Sequence, residues 1–97
     1  MTTPAPTGVD HADDWHGGDK RVIFGPTESV GIRGGGVHVH ASAVQHSDGR
    51  IDTEIHRPQV TFSMRGMPSM DVATARRLAA AIIEAADLCD RWMTDSL

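Results

Sequence analysis

The sequence predicts an α+β domain: an antiparallel sheet of three to four strands, followed by one long C-terminal helix packed on one face of the sheet. Two observations carry this prediction. Residues 71–93 repeat apolar side chains at steps of three and four, which is the spacing of one helical face. Residues 21–64 contain short runs that alternate apolar and polar side chains, which is typical of strands with one buried face.

The helix is the best-marked element. Asp71 stands where an N-cap belongs, because its carboxylate can accept a hydrogen bond from a free amide of the first turn. The alanines of residues 79–81 have the highest helix propensity. The predicted sheet-facing stripe consists of Val72, Ala75, Leu78, Ala79, Ile82, Ala86, Cys89 and Met93.

The candidates for these strands are residues 21–24, 29–33, 37–46, 51–57 and 60–64. Glycines 34–36 are interpreted as a hinge or hairpin turn. After His46, a two-residue Asp48-Gly49 loop would mix apolar and polar side chains on both faces of the next hairpin. A three-residue loop with Gly49 in the left-handed conformation instead places Ala43 opposite Thr53. We expect this second register.

The expected register separates two faces of the hairpin. The apolar face carries Val37, Val39, Ala41, Ala43, Ile51 and Ile55, and the polar face carries His38, His40, Ser42, Asp52, Glu54 and His56.

Three histidines of the polar face suggest a metal site. His40 would lie opposite His56 with His38 two residues along, so three imidazoles would converge, with Glu54 as a fourth ligand. Three neutral histidines and an open position suit zinc. The alternative is that histidines alternating along a strand are solvent-facing polar residues. The cupin metal motif does not fit, because Val44 and Gln45 stand where its glutamate should follow. No cofactor is therefore expected, with zinc as the alternative.

Composition divides the 97 residues into two parts. Residues 1–18 lack apolar periodicity and predict a disordered acidic, histidine-containing tail, whereas residues 19–97 form a single domain. In the tail, an Asp/His cluster around Trp15 could bind a divalent ion or fold onto a partner; its members are His11, Asp13, Asp14 and His16. The single cysteine excludes a disulfide within one chain. The single thiol and the absence of any long apolar run together predict a cytoplasmic protein that does not enter membranes.

Charge and motifs limit the function classes. Net charge is −4, but three of the thirteen acidic groups lie in the tail, which leaves ten against nine basic groups. Such near balance argues against nonspecific nucleic-acid binding. A local basic patch is the open alternative; its arginines would be Arg57, Arg65, Arg76 and Arg77. The glycine run is not followed by the Lys-Ser or Lys-Thr of a phosphate loop. No catalytic motif stands out, so we expect no enzyme.

The helix also predicts how the protein meets partners. One helix covers roughly two strands, and at about 33 Å it is longer than a strand of about 23 Å. Its last turns would project and expose apolar side chains, which usually marks an interface. The expected interaction surface consists of Ile82, Cys89, Trp92 and Met93. We therefore expect a noncatalytic interaction or regulatory module, a homodimer or a partner of a host protein, with a zinc-binding protein as the alternative.

The C-terminal third resembles a known family. Pro-x-Val-x-Phe from Pro58, followed by Asp-Val-Ala-Thr-Ala-Arg-Arg-Leu-Ala-Ala-Ala from Asp71, is similar to the end of a small actinobacterial and actinophage domain family of unknown function. Its helix typically reads Leu-Thr-x-x-Glu-Ala-Arg-x-Leu-Ala-x-Ala-Leu-x-x-Ala-Ala. Members often carry an upstream Cys-Pro-x-Trp-Cys segment; if Trp15 is the matching tryptophan, Ala12 and His16 replace its cysteines. The resemblance implies origin, including phage encoding, and topology more than activity.

Overall fold

A computed structural model describes residues 3–32, 35–66 and 69–95. These residues form a five-stranded antiparallel sheet and one helix. The elements are β1 (His11–Ala12), β2 (Lys20–Phe24), β3 (Glu28–Ile32), β4 (Gly35–His46), β5 (Gln59–Ser63) and α1 (Val72–Asp95). The predicted α+β architecture with a long C-terminal helix is confirmed. Gly35 and Gly36 belong to β4, while the rest of the predicted glycine turn, residue 34, lies outside the described residues together with residue 33.

The long strand β4 is the centre of the sheet. Ser42 pairs with Phe24 of β2 and with Gln59 of β5, so these two strands lie on opposite edges of β4. Val39 likewise has partners in both β3 and β5. Therefore β2 and β3 follow one another along the same edge, and β1 adds two residues outside β2. A Cβ added at Gly25, which joins β2 to β3, would lie 2.6 Å from Leu88 Cδ2, so this bend approaches α1 closely.

Alternation along β4 places one set of side chains under the helix. Val37, Val39, Ala41 and Ala43 are all buried, as the sequence predicts. They join two hydrophobic clusters, one containing Ala81 of α1 and the other Leu88, Cys89 and Trp92 of the same helix. Asp71 caps α1 as predicted, because the amide of Thr74 donates to its Oδ1 at 2.8 Å.

The predicted stripe of α1 is rotated relative to the buried one. Leu78, Ile82, Cys89 and Met93 are buried or half-buried, but Val72 is 66% exposed. The predicted stripe's alanines are also exposed; they are Ala75, Ala79 and Ala86. The core takes Leu88 and Trp92 instead, because these side chains are larger and bury more apolar area than alanines can.

The hairpin after β4 has the predicted turn and register. Gly49 has a positive φ of 95°. The amide of His46 donates to the carbonyl of Arg50 at 2.8 Å, and Gln45 pairs with Ile51.

The predicted strand over residues 51–57 is wrong beyond Asp52. The Asp52 carboxylate accepts hydrogen bonds from the amides of Glu54, Ile55 and His56, which turns the chain out of the ladder. Ile55, predicted in the core, is therefore 82% exposed. The chain returns to the same edge of β4 as β5, so residues 53–58 form an excursion within the hairpin.

The prediction of a disordered tail over residues 1–18 differs from the structure over residues 3–18. The amides of Asp10 and Asp13 donate to carbonyls of β2 at 2.8 and 2.9 Å. Nearer the N-terminus, the carbonyl of Pro4 accepts a hydrogen bond of 3.0 Å from the Gln45 side chain. These contacts use main-chain atoms, so apolar periodicity carries no trace of them.

Candidate functional site

The three predicted zinc ligands do not converge. His38 and His40 lie on the face of β4 away from α1, as predicted, but His40 pairs with Thr61 of β5 and not with His56. His56 lies in the excursion that follows Asp52. Across residues 3–32, 35–66 and 69–95, no group of three or more His, Cys, Asp or Glu side chains is placed to hold a metal ion.

The histidines of this face contact neighbours on adjacent strands. His38 Nδ1 and the Ser29 hydroxyl share a hydrogen bond of 2.8 Å. The Phe24 ring has its centroid 5.8 Å from that of His40 and 5.9 Å from that of His11. These imidazoles thus take part in packing and hydrogen bonding between adjacent strands.

The predicted interaction surface at the end of α1 lies mostly in the core. Trp92 is fully buried and Cys89 is buried beside it, while Ile82 and Met93 are half-buried. Burial raises the pKa of the Cys89 thiol, with a smaller contribution from the carboxylate of Asp90. The last turns do not project, because the N-terminal segment, residues 3–13, covers them. Val9 packs on this cluster, and the indole Nε1 of Trp92 donates a hydrogen bond to the carbonyl of Thr7.

A different surface of α1 is exposed. We call it the outer face, and its six residues, at alternating steps of four and three, are Val72, Arg76, Ala79, Ile83, Ala86 and Asp90. Val72 is 66% exposed and Ile83 is 60% exposed. Arg76 lies towards the N-terminal end of this face and Asp90 towards the C-terminal end. The outer face is therefore an apolar stripe with opposite charges at its ends.

A cleft of about 590 Å³ opens on the sheet face opposite α1. Its floor includes Val22 and Val44, and one wall is formed by residues 54–58 of the excursion together with Gln59 of β5. Amide donors, foremost that of Glu54, hold the pKa of Asp52 at the base of this wall below its usual value.

No family model, curated protein or solved structure matches this chain. No helix of the described residues is long and apolar enough to span a membrane.

The four arginines of the suggested basic patch are distributed over different elements. Arg57 lines the cleft, Arg65 follows β5, and Arg76 and Arg77 lie in the first turns of α1. All four are exposed.

Sequence reasoning missed both the outer face and the cleft. The signal for the outer face was present, because residues 81, 85, 88 and 92 form a second apolar stripe on α1, which contains its largest side chains. Choosing that stripe for the core would have placed Ile83 outside. The cleft depends on the turn at Asp52, and the alternating sequence of residues 51–57 conceals that turn.

Proposed function

We propose that the protein is a noncatalytic interaction module that self-associates through the outer face of α1. The exposure of Ile83 in the middle of this face carries the proposal. Burying exposed aliphatic surface contributes about 25 cal/mol per Å². An apolar stripe left bare along a helix usually marks a contact with another molecule.

The spacing of the outer face fits a second helix. Alternating steps of four and three average 3.5 residues, which is the repeat that keeps one seam facing a partner helix. Ala79 and Ala86 flank Ile83 with small side chains, so two backbones can approach closely there. A helix lying along α1 covers this stripe better than an extended peptide, which would meet only a few of its residues.

The charges on the outer face favour pairing of α1 with α1 of a second copy in the antiparallel direction. Arg76 and Asp90 each lie seven residues from Ile83, on opposite sides. A two-fold axis at Ile83 therefore brings Arg76 of each copy level with Asp90 of the other, whereas a parallel pair would align like charges. Exposed ion pairs contribute only about 0–1 kcal/mol each, so they fix direction more than affinity.

Sedimentation velocity from low micromolar to millimolar concentration tests the proposal. We expect a wild-type dimer to form within this range, and Ile83→Asp to remain monomeric, because a carboxylate would be buried at the seam. Ile55→Asp is the matched control, since Ile55 is also highly exposed but lies in the excursion. A monomeric wild type at millimolar concentration, or equal effects of the two variants, would overturn the proposal.

Two wider expectations stay proposals beside this one. A host protein could present a helix of the same pattern to the outer face, and an actinobacterial or actinophage origin is supported by the helix motif alone. Zinc binding is not favoured, because His56 does not face His40.

A further inference from the structure

We infer that the cleft on the sheet face opposite α1 binds a small amphipathic anion, a compact apolar body that carries a carboxylate, sulfonate or phosphate group. This inference is independent of the outer face of α1. The volume of the cleft, about 590 Å³, lies in the range of small-molecule sites, which is roughly 300–1,000 Å³.

The cleft exists because the excursion folds back over the sheet. Ser42 points away from α1, yet it is only 8% exposed. Val22 and Val44, paired on the same face, are half-buried. Residues 54–59 stand beside these side chains and convert a flat sheet surface into a concave one. The floor is therefore largely apolar, with the Ser42 hydroxyl beside Val22 and Val44, and is partly shielded from water before any ligand arrives.

Hydrogen bonds hold the wall in place. The Asp52 carboxylate accepts from the amides of Glu54 and Ile55 at 3.0 and 3.2 Å and from that of His56 at 3.3 Å. Arg57 Nε donates to the carbonyl of Thr53 at 3.1 Å, which orients its guanidinium. A wall that is already ordered loses little conformational entropy on binding.

The lining charges select an anion. Lys20 and Arg57 supply fixed positive charge, and the imidazoles of His16 and His56 add donors. Glu54 is the one carboxylate among the described lining residues. This excess of cations stands out in a chain whose net charge is −4. An anionic group at the rim can meet Lys20 or Arg57 while the apolar body covers the floor.

Arg21 also borders the cleft, but its guanidinium has partners within the protein. Its Nε donates to Gln45 Oε1 at 2.9 Å, and its guanidinium carbon lies 4.3 Å from the centroid of the Trp15 ring. The guanidinium is thus held by other groups. Lys20 and Arg57 are the cations to test.

The probe is 8-anilinonaphthalene-1-sulfonate, which joins a sulfonate to an aromatic body. Titration monitored by ¹⁵N–¹H spectra should give saturable shifts at the amides of Val22 and Val44 and at those of residues 54–57 and 59. The Lys20→Gln/Arg57→Gln variant should bind about tenfold more weakly, because charge-assisted contacts are lost. Arg65→Gln/Arg91→Gln is the matched control: it removes two exposed cations outside the cleft and should bind as the wild type does.

A second arm uses the wild-type protein with N-phenyl-1-naphthylamine, the uncharged analogue of the probe. Its binding should be about tenfold weaker if a cation at the rim meets the sulfonate. Equal affinity of the two probes would overturn the inference. So would shifts confined to the outer face of α1, or equal losses in the two double variants.

Discussion

The indole Nε1 of Trp92 donates a hydrogen bond of 3.0 Å to the carbonyl oxygen of Thr7. The two residues are 85 positions apart, and the Trp92 side chain is fully buried. This contact joins the N-terminal segment to the last turns of α1. It explains why the end of the helix belongs to the core and why the exposed apolar surface lies on the outer face.

The first prediction concerns Trp92 itself. Trp92→Ala should lower the free energy of unfolding by about 3–5 kcal/mol, because it removes a large buried ring and leaves a cavity. Trp92→Phe should cost less, since it keeps most of the volume but leaves the Thr7 carbonyl without its donor. Urea denaturation measures both. Arg91→Ala, at an exposed neighbour, should change stability by less than about 0.5 kcal/mol. A Trp92→Ala loss as small as that of Arg91→Ala would contradict the buried position.

The second prediction concerns the N-terminal segment. Deleting residues 1–10 removes the Pro4 carbonyl that pairs with buried Gln45 and the Thr3 carbonyl that accepts from Arg21 Nη2. A buried polar group left unpaired costs about 1–3 kcal/mol. We expect a clear fall in the melting temperature, measured by circular dichroism. An unchanged melting temperature would show that the segment is a free tail.

The third prediction concerns the excursion. Asp52→Ala should speed hydrogen exchange at the amides of Glu54, Ile55 and His56, because their shared acceptor is lost. Asp48→Ala is the control, since Asp48 accepts within the preceding turn, from Arg50. It should leave these three amides protected. Equal exchange in both variants would mean that Asp52 does not hold the wall.

Acidification should act on the same carboxylate. Because amide donors lower the pKa of Asp52 in the folded protein, ionised Asp52 stabilises the fold above the unfolded pKa of about 3.9. That stabilisation is lost as pH falls through the lower, folded pKa. The amide shifts of residues 54–56 should therefore titrate with a midpoint below about 3.9. A midpoint at or above this value would argue against the three hydrogen bonds.

The fifth prediction concerns Cys89. Burial raises the pKa of its thiol, so the neutral form dominates at neutral pH and the reactive thiolate is scarce. Dithionitrobenzoate should modify Cys89 slowly in the native protein and rapidly in urea. Since the folded pKa is raised, this group's contribution to stability should fall as pH rises above the unfolded value of about 8.5. Rapid modification of the native protein would contradict the buried position of Cys89.

The sequence predicted the elements better than their faces. The turn at Gly49 and the pairing of Gln45 with Ile51 were predictable, because left-handed backbone favours glycine and the register follows from the loop length. The helix was predictable from its apolar repeat. Its orientation was harder to predict, because alanines make two overlapping stripes of nearly equal hydrophobicity, and only the bulk of Leu88 and Trp92 separates them.

The excursion and the N-terminal segment were hidden for a different reason. Residues 51–57 alternate like a strand, and one side chain, that of Asp52, overrides the pattern by competing for backbone amides. Residues 3–13 are held largely by main-chain hydrogen bonds and by acceptors for Gln45 and Trp92. Neither interaction has a period that a sequence shows, so the cleft was not predictable.

A charge exchange measured by sedimentation equilibrium tests the antiparallel pairing of α1 most directly. Arg76→Asp and Asp90→Arg should each weaken the dimer by about tenfold, because each places like charges together at two symmetric contacts. The Arg76→Asp/Asp90→Arg variant restores opposite charges at both contacts and should return the dissociation constant to about that of the wild type. A double variant weaker than either single variant would contradict the account.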